Sequence, residues 1–397
     1  VAAVLVMFNA GAFTQHYFNP HTLAIVHTMA LGWGTMVILG ASHQLFPVLI
    51  EGKLHSNALA YLSFLFAAIG ILLLVFSFYE FNMGLMARAG ATLVNFSVAS
   101  YLANLWLSMS NGKKQNVHAV FAFTSVLWLF FTTGLGLLLV WNFTSQTLPN
   151  DSLHYLSLHA HVGIIGWFLL MVMGVGSRLI PMFLISKYEN KKRLWWAYTL
   201  VNAGLISFLF IFTLSPRAGF YFAPVLLVCL GVILFGNHVY RSYKERIRKK
   251  VDGQVGVSML SVAFIGIPLV ILTIFIALVG PANGKQWALL YGFTIFFGWI
   301  TAIIFGMTFK TLPFIVWNKV YHNVAGLGKT PNPKDLFSNR VFVANALAYL
   351  AGFFVFGYGI LRANVSILNI GAVFLVIAAV LYNLNVFKVL FHKAKLK

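Results

Sequence analysis

The stretch His27–Pro47, HTMALGWGTMVILGASHQLFP, decides the fold, because the chain carries a second version of it from His159, HAHVGIIGWFLLMVMGVGSRLIP. Counting from His27, a Gly-Trp pair falls at plus five and six (Gly32, Trp33), a glycine at plus thirteen (Gly40) and a proline at plus twenty (Pro47). Counting from His161 gives Gly166, Trp167, Gly174 and Pro181 at the same offsets. A third copy keeps Gly298, Trp299, Gly306 and Pro313 but has Phe293 in place of the histidine. The copies are spaced by about a third of the chain, the signature of an internal repeat.

The chain is 60% hydrophobic and only 9% charged, which excludes a soluble domain and points to a polytopic membrane protein. Apolar runs long enough to span ~30 Å of hydrocarbon fall near 1–13, 22–49, 57–79, 84–109, 117–143, 153–186, 194–213, 218–241, 255–279, 286–317, 339–361 and 366–391. The expected fold is all-α, with twelve transmembrane helices in three pseudo-threefold four-helix repeats, 1–116, 117–252 and 253–397. The quoted stretches are the second, sixth and tenth runs, and their prolines are expected to mark the inner border. NALAYL at Asn57–Leu62 and again at Asn345–Leu350 is a weaker echo, expected to open the third and eleventh helices. The sequence begins at Val1 inside an apolar run, so an upstream segment is expected; no signal peptide or lipidation motif is visible.

Lys and Arg set the expected orientation. With the N-terminus inside, only Arg88, Arg217, Lys285 and Arg362 of the 27 basic residues fall on the outer side. Lys113, Lys114, Lys187 to Arg193, Arg241 to Lys250 and Lys388 to Lys397 all lie inside, placing both termini in the cytoplasm. The net charge of +20 is then a topology signal with some attraction for anionic lipid, not a nucleic-acid surface. Cys229, the single cysteine, excludes disulfides and thiolate clusters and reads as a small hydrophobe.

This orientation gathers His16, His21, His27, His154, His159 and His161 at the outer ends of the early helices of two repeats. His43, His55, His118, His238, His322 and His392 fall at inner ends or inner loops, where they read as interfacial polar side chains; of these His43 is a minor candidate. A polar ring in lipid usually faces the bundle interior and serves function, and imidazole is a common ligand for haem iron and copper. His27, His159 and His161 are the candidate cofactor ligands, with His154 and His21 as further metal candidates. Two residues of helix turn through ~200°, so His159 and His161 point to opposite flanks and can serve two different sites. The recurrent glycines permit close helix packing or make room for a flat macrocycle. The mid-helix tryptophans read as core.

These residues resemble subunit I of the haem–copper oxidase superfamily, including the nitric oxide reductases. That family has twelve helices in three arcs, and its H-x-H helix is followed by Gly and Pro much as His161 is followed by Gly174 and Pro181. The run LFPVLIEGKL resembles the end of the family's second helix, whose histidine ligates low-spin haem, and SRLIPMFLISKYENKKRLWW resembles its helix 6 to 7 connection. A similar layout occurs in NnrS-type membrane proteins of nitric oxide stress. The chain departs from the family in the run 194–213, which lacks the copper-binding His-His pair, and at Tyr291-Gly292-Phe293, which stands where H-x-H is expected. It has no HPEVY-like motif beyond His154-Tyr155, and none of its seven acidic residues offers an intramembrane proton path.

The resemblance implies a bacterial inner-membrane haem protein of respiratory electron transfer or nitric oxide reduction or response, an oxidoreductase without the usual copper-B ligands. It implies one or two b-type haems, with copper as an option, held between the second and sixth helices by His27 and either His161 or His159. A c-type cytochrome or a quinol would donate electrons, and further membrane subunits could attend; no CxxCH motif is present for covalent haem in this chain. Two other classes stay open. One is a non-enzymatic haem or copper carrier or nitric oxide sensor, and the other a cofactor-free scaffold or transporter.

Overall fold

A computed structural model describes the chain except residues 113–115, 215–216, 248–250, 281–283, 325–329 and 395–397. Of the basic residues used for orientation, Lys113, Lys114, Arg248, Lys249, Lys250, Lys329, Lys395 and Lys397 therefore lie outside the described residues. The described residues form helices and no named strand. Among the described residues, ten helices are long and apolar enough to cross a membrane. They are α2 (Pro20–Leu49), α3 (Asn57–Tyr79), α5 (Val117–Ser145), α6 (Leu156–Leu184), α7 (Lys191–Leu214), α8 (Gly219–Lys244), α9 (Gly253–Val279), α10 (Lys285–Tyr321), α11 (Asn339–Arg362) and α12 (Val365–Leu390). Between α3 and α5 runs α4, Leu85–Ser110, 26 residues long but more polar, with Asn95, Ser97 and Asn104 along it. The first apolar run yields only a short helix, α1 (Ala2–Phe8), followed by a tighter turn at Ala10–Thr14. Helices are the natural outcome, since in hydrocarbon every backbone N–H and C=O must be satisfied within the segment.

The helix starts are written in side chains. Ser56, Asn116, Ser338 and Asn364 each accept a hydrogen bond from the backbone N–H three residues on, satisfying one of the orphan donors of a helix N-terminus. Asn190 does the same for Arg193 at the head of α7. This capping corrects the register of the NALAYL echo. Asn57 opens α3, but Asn345 lies inside α11, which opens at Asn339 behind its cap Ser338. The equivalent positions are the caps, Ser56 and Ser338. Asn104 of α4 exchanges two hydrogen bonds with the backbone of Ser56, at 3.0 and 2.8 Å, and Asn385 of α12 does the same with Ser338, at 2.8 and 3.0 Å.

Three helix hairpins cross at glycines. A Cβ at Gly70 of α3 would lie 2.8 Å from the carbonyl oxygen of Gly90 on α4, and one at Gly90 would lie 2.8 Å from the backbone nitrogen of Leu74. Gly204 of α7 and Gly231 of α8 are pressed in the same way against Val228 and Val201, and Gly352 and Gly371 fill the corresponding places between α11 and α12. Close backbone approach through small residues is how helices pack tightly in a membrane.

The helices built on the repeated stretch share a backbone irregularity. Directly after His27, His161 and Phe293, α2, α6 and α10 widen into π-helical turns over Thr28–Thr35, Val162–Leu169 and Thr294–Ile300. Such widened turns are rare and cluster at functional positions. The prolines behave less uniformly. Helix α2 ends two residues after Pro47 and α6 three after Pro181, but α10 continues past Pro313 to Tyr321, so that proline does not mark a border.

The chain divides into two compact units. One comprises Val1–Asn19, Val251–Ile271 and Val279–Lys397; the other comprises Pro20–Lys250 with Leu272–Leu278. In the first, Phe293, which replaces the histidine of the other copies, is 3% exposed and stacked among Phe297, Phe353 and Phe356 at centroid distances of 5.1, 5.5 and 5.0 Å. Stacked phenyl rings fill the volume beside the widened turn of α10. The second unit contains every histidine singled out as a ligand.

Candidate functional site

His27 sits on the last regular turn of α2 before it widens, and its Nδ1 lies 2.9 Å from the carbonyl oxygen of Leu23. A carbonyl can only accept, so Nδ1 carries the proton and donates it, leaving the lone pair on Nε2. His161 repeats the device on α6, with Nδ1 2.7 Å from the carbonyl oxygen of Ser157. This tautomer and anchoring are what a metal-binding imidazole needs, because the second nitrogen's hydrogen bond orients the ring and raises its basicity.

His159 faces the opposite flank of α6 from His161, and there it meets His27. The two ring centroids are 6.2 Å apart and the planes differ by 18°. The Nδ1 atom of His159 is buried and makes no hydrogen bond of good geometry, although the ring also interacts with the Thr132 backbone. Stranding a polar atom in this way costs roughly 1–3 kcal/mol, and a group left so in a native protein is a candidate for holding something. Its ring lies against α5 at Gly136, where a Cβ would come within 3.0 Å of the His159 Cε1 atom. The absence of a side chain at Gly136 is therefore what admits the ring. On the third side Phe78 of α3 presents its ring to His27 at 4.7 Å, and Phe78 belongs to an apolar cluster with Ala24, Leu74, Met83, Ala87, Ala91 and Val140.

The scaffold holding α2 to α6 is equally specific. Trp167, 1% exposed, donates its indole N–H to the Thr35 hydroxyl of α2 at 3.0 Å. The ring of Phe168 lies where a Cβ on Gly34 would be, 2.8 Å away. The recurrent glycines of α6 are occupied by packing: Gly163 against Thr132, Gly166 against Trp128 and Leu205, and Gly174 against Phe121 and the backbone of Ala122. Of the two uses open to that glycine strip, close helix packing is the one adopted.

The other candidates are placed apart from this pair. His161 lies against Phe208 of α7 at 5.2 Å, and His154 against Phe212, one turn further along α7, also at 5.2 Å. His21 packs, tilted, against Tyr79 at the end of α3, 4.8 Å away. Among the described residues no three His, Cys, Asp or Glu side chains gather as a metal-binding group. The donor set of the site is thus two imidazoles in apolar surroundings.

Two inner histidines differ from expectation. His118 and His238 are 6% and 1% exposed, buried where an interfacial position was anticipated. Ser177 of α6 joins them: its hydroxyl donates to the Gly174 carbonyl and accepts from His118 Nδ1 at 2.7 Å, while its carbonyl accepts from His238 Nε2 at 3.4 Å. His43, also on α2, donates from Nδ1 to the Leu39 carbonyl at 2.7 Å and keeps a buried, unpartnered Nε2 beside the ring of Tyr101. Depth along a helix gave no sign of which of these rings point inward. Gly136 carried no sequence signal either, since its role comes from a neighbour on another helix.

These features define a multi-pass helical membrane protein with a paired-imidazole site enclosed by α2, α3, α5 and α6. No family model matches the sequence, and no curated protein matches it significantly.

Proposed function

We propose that this chain is a membrane haem protein related to subunit I of the haem–copper oxidases, in which His27 and His159 would hold a b-type haem. The observation that carries the reading is the facing of the two rings across 6.2 Å with a buried nitrogen on His159 that makes no hydrogen bond of good geometry. Imidazoles on opposite sides of one metal ion, each bonded at about 2.0–2.1 Å, have centroids roughly 6 Å apart. The tautomer of His27, fixed by Leu23, offers its lone pair at Nε2. Iron held in this way supplies one-electron transfer. Held by two imidazoles, such a group would favour electron transfer at this site over reduction of nitric oxide, which needs a position left open for the substrate.

Twelve helices in three repeats are part of the same reading. It is supported by the widened turns following His27, His161 and Phe293 and by the three glycine-crossed hairpins. On this view the third repeat has filled its own ligand position with phenylalanines. The distribution of basic residues supports a bacterial inner membrane with both termini inside. A c-type cytochrome or quinol would be the electron donor.

One observation favours a second reading. Because the glycine strip of α6 is occupied by neighbouring helices, the pair also suits a bare copper ion, for which imidazole is a fitting ligand; the protein would then be a carrier or sensor. Purified protein decides between them. Haem predicts a Soret band, a reduced-minus-oxidised difference spectrum and one iron per pair, lost in both His27→Ala and His159→Ala and retained in His161→Ala. Copper without a Soret band supports the second reading. A colourless, metal-free protein expressed in haem- and copper-replete cells refutes both.

A further inference from the structure

The inner end of α7 carries a second site, independent of the histidine pair. A cleft of about 220 Å³ is lined by Asn190, Lys192 and Arg193 from the first turn of α7, by Trp196 one turn below, and by Leu234 of α8. One wall is cationic and the other apolar, and the boundary falls at the end of a membrane-spanning helix, where headgroups meet acyl chains.

Arg193 is set for a particular ligand shape. Its Nη1 atom donates to the Tyr188 hydroxyl and to Asn237 Oδ1, both at 2.6 Å, which uses both hydrogens on that nitrogen. The remaining Nε and Nη2 hydrogens form the planar fork that matches two oxygens of a phosphate. The nearby acid Glu189 is engaged with Lys191 at 3.5 Å, so the charge of Lys192 and Arg193 is left for another anion. Trp196 is 56% exposed, an amphipathic ring at the level where tryptophan packs along lipid.

We propose that this cleft is a binding site for an anionic phospholipid, its phosphodiester held by Arg193 and Lys192 and its first acyl carbons lying along Trp196 and Leu234. Each basic residue near a charged headgroup contributes about 1 kcal/mol, about a fivefold change in affinity.

Detergent-purified protein titrated with short-chain phosphatidylglycerol, and separately with phosphatidylcholine and inorganic phosphate, tests this by native mass spectrometry. Phosphatidylglycerol should bind tightest, with Lys192→Gln weakening it about fivefold and Arg193→Gln more. Arg193→Lys, which keeps the charge and loses the fork, should weaken it as well. Lys192 is exposed and makes no structural hydrogen bond, so Lys192→Gln reports on binding even if Arg193 variants fold poorly. Equal affinity for phosphatidylcholine, unchanged binding in Lys192→Gln, or inorganic phosphate displacing the lipid as an equal competitor would each overturn the proposal.

Discussion

Replacing Gly136 with alanine sets a methyl group against the His159 ring. The new Cβ would stand 3.0 Å from Cε1, 3.6 Å from Nδ1 and 3.8 Å from Nε2. Unstrained carbon–carbon contacts begin near ~3.5 Å, so the ring must withdraw by about 0.5 Å. Ligand–metal distances tolerate only about 0.2 Å, so on the proposed reading the ring could not clear the methyl and still hold the metal without moving the whole pair. The fold should hardly notice. Overpacking costs about 1–3 kcal/mol, and removing a glycine from a helix interior returns roughly 0.5–1 kcal/mol. Gly136→Ala is therefore expected to unfold within a few degrees of wild type while shifting or weakening the Soret band. Gly134→Ala is the control, since its Cβ meets only Asn95 Oδ1 at an ordinary 3.8 Å. If Gly136→Ala binds metal with the wild-type spectrum and stoichiometry, the proposed ligand role of His159 is wrong.

The hairpin glycines should be far less tolerant: Gly70→Ala drives a methyl onto the Gly90 carbonyl at 2.8 Å and the Val94 nitrogen at 2.9 Å, backbone atoms that cannot yield. A loss of about 1–3 kcal/mol should appear as a lower melting temperature by fluorescence-detected size exclusion. Trp167→Phe removes a made hydrogen bond to Thr35, whereas Trp299 has a buried indole N–H with no partner. Trp167→Phe should cost more than Trp299→Phe by roughly 0.5–1.5 kcal/mol, and equal melting temperatures for the two would contradict the pairing. Asn104→Ala breaks both hydrogen bonds to Ser56 and should speed proteolysis at the α3–α4 end, with Asn385→Ala acting likewise at α11–α12.

Much of the helical architecture was legible because lipid leaves few alternatives: long apolar runs must satisfy their own backbones, and ten of the twelve runs coincide with helices long and apolar enough to span, whereas the first gives only the short α1 and the fourth the more polar α4. The glycine-tryptophan spacing also fell on three of the helices that widen, although nothing in it announced the widening, and α9 widens at Phe275–Val279 without it. What the spacing could not give was rotation about each axis. It placed His159 and His161 on opposite flanks, but which flank faces α2 depends on packing by Trp167 and Phe168, which the alphabet of one helix does not encode. The same gap explains His118 and His238, assigned to an interface from their depth and found buried against Ser177. The NALAYL echo misled because identical letters need not share a register; the caps Ser56 and Ser338, with Gly70 and Gly352 fourteen residues on, carry the correspondence. Lys310 and Asp252, which pair at 2.6 Å inside the first unit, were likewise invisible as partners at a separation of 58 residues.

The wide turn after His161 holds one residue more than a regular helix would use for the same rise. Wound as an ordinary coil with the same number of residues, the stretch would instead swing everything upstream of Ile164–Ile165 by ~100° relative to Trp167. That swing would carry His159 away from His27 while the lower half of α6 kept every contact it has. The widening itself is thus what turns the His159 flank of α6 toward His27.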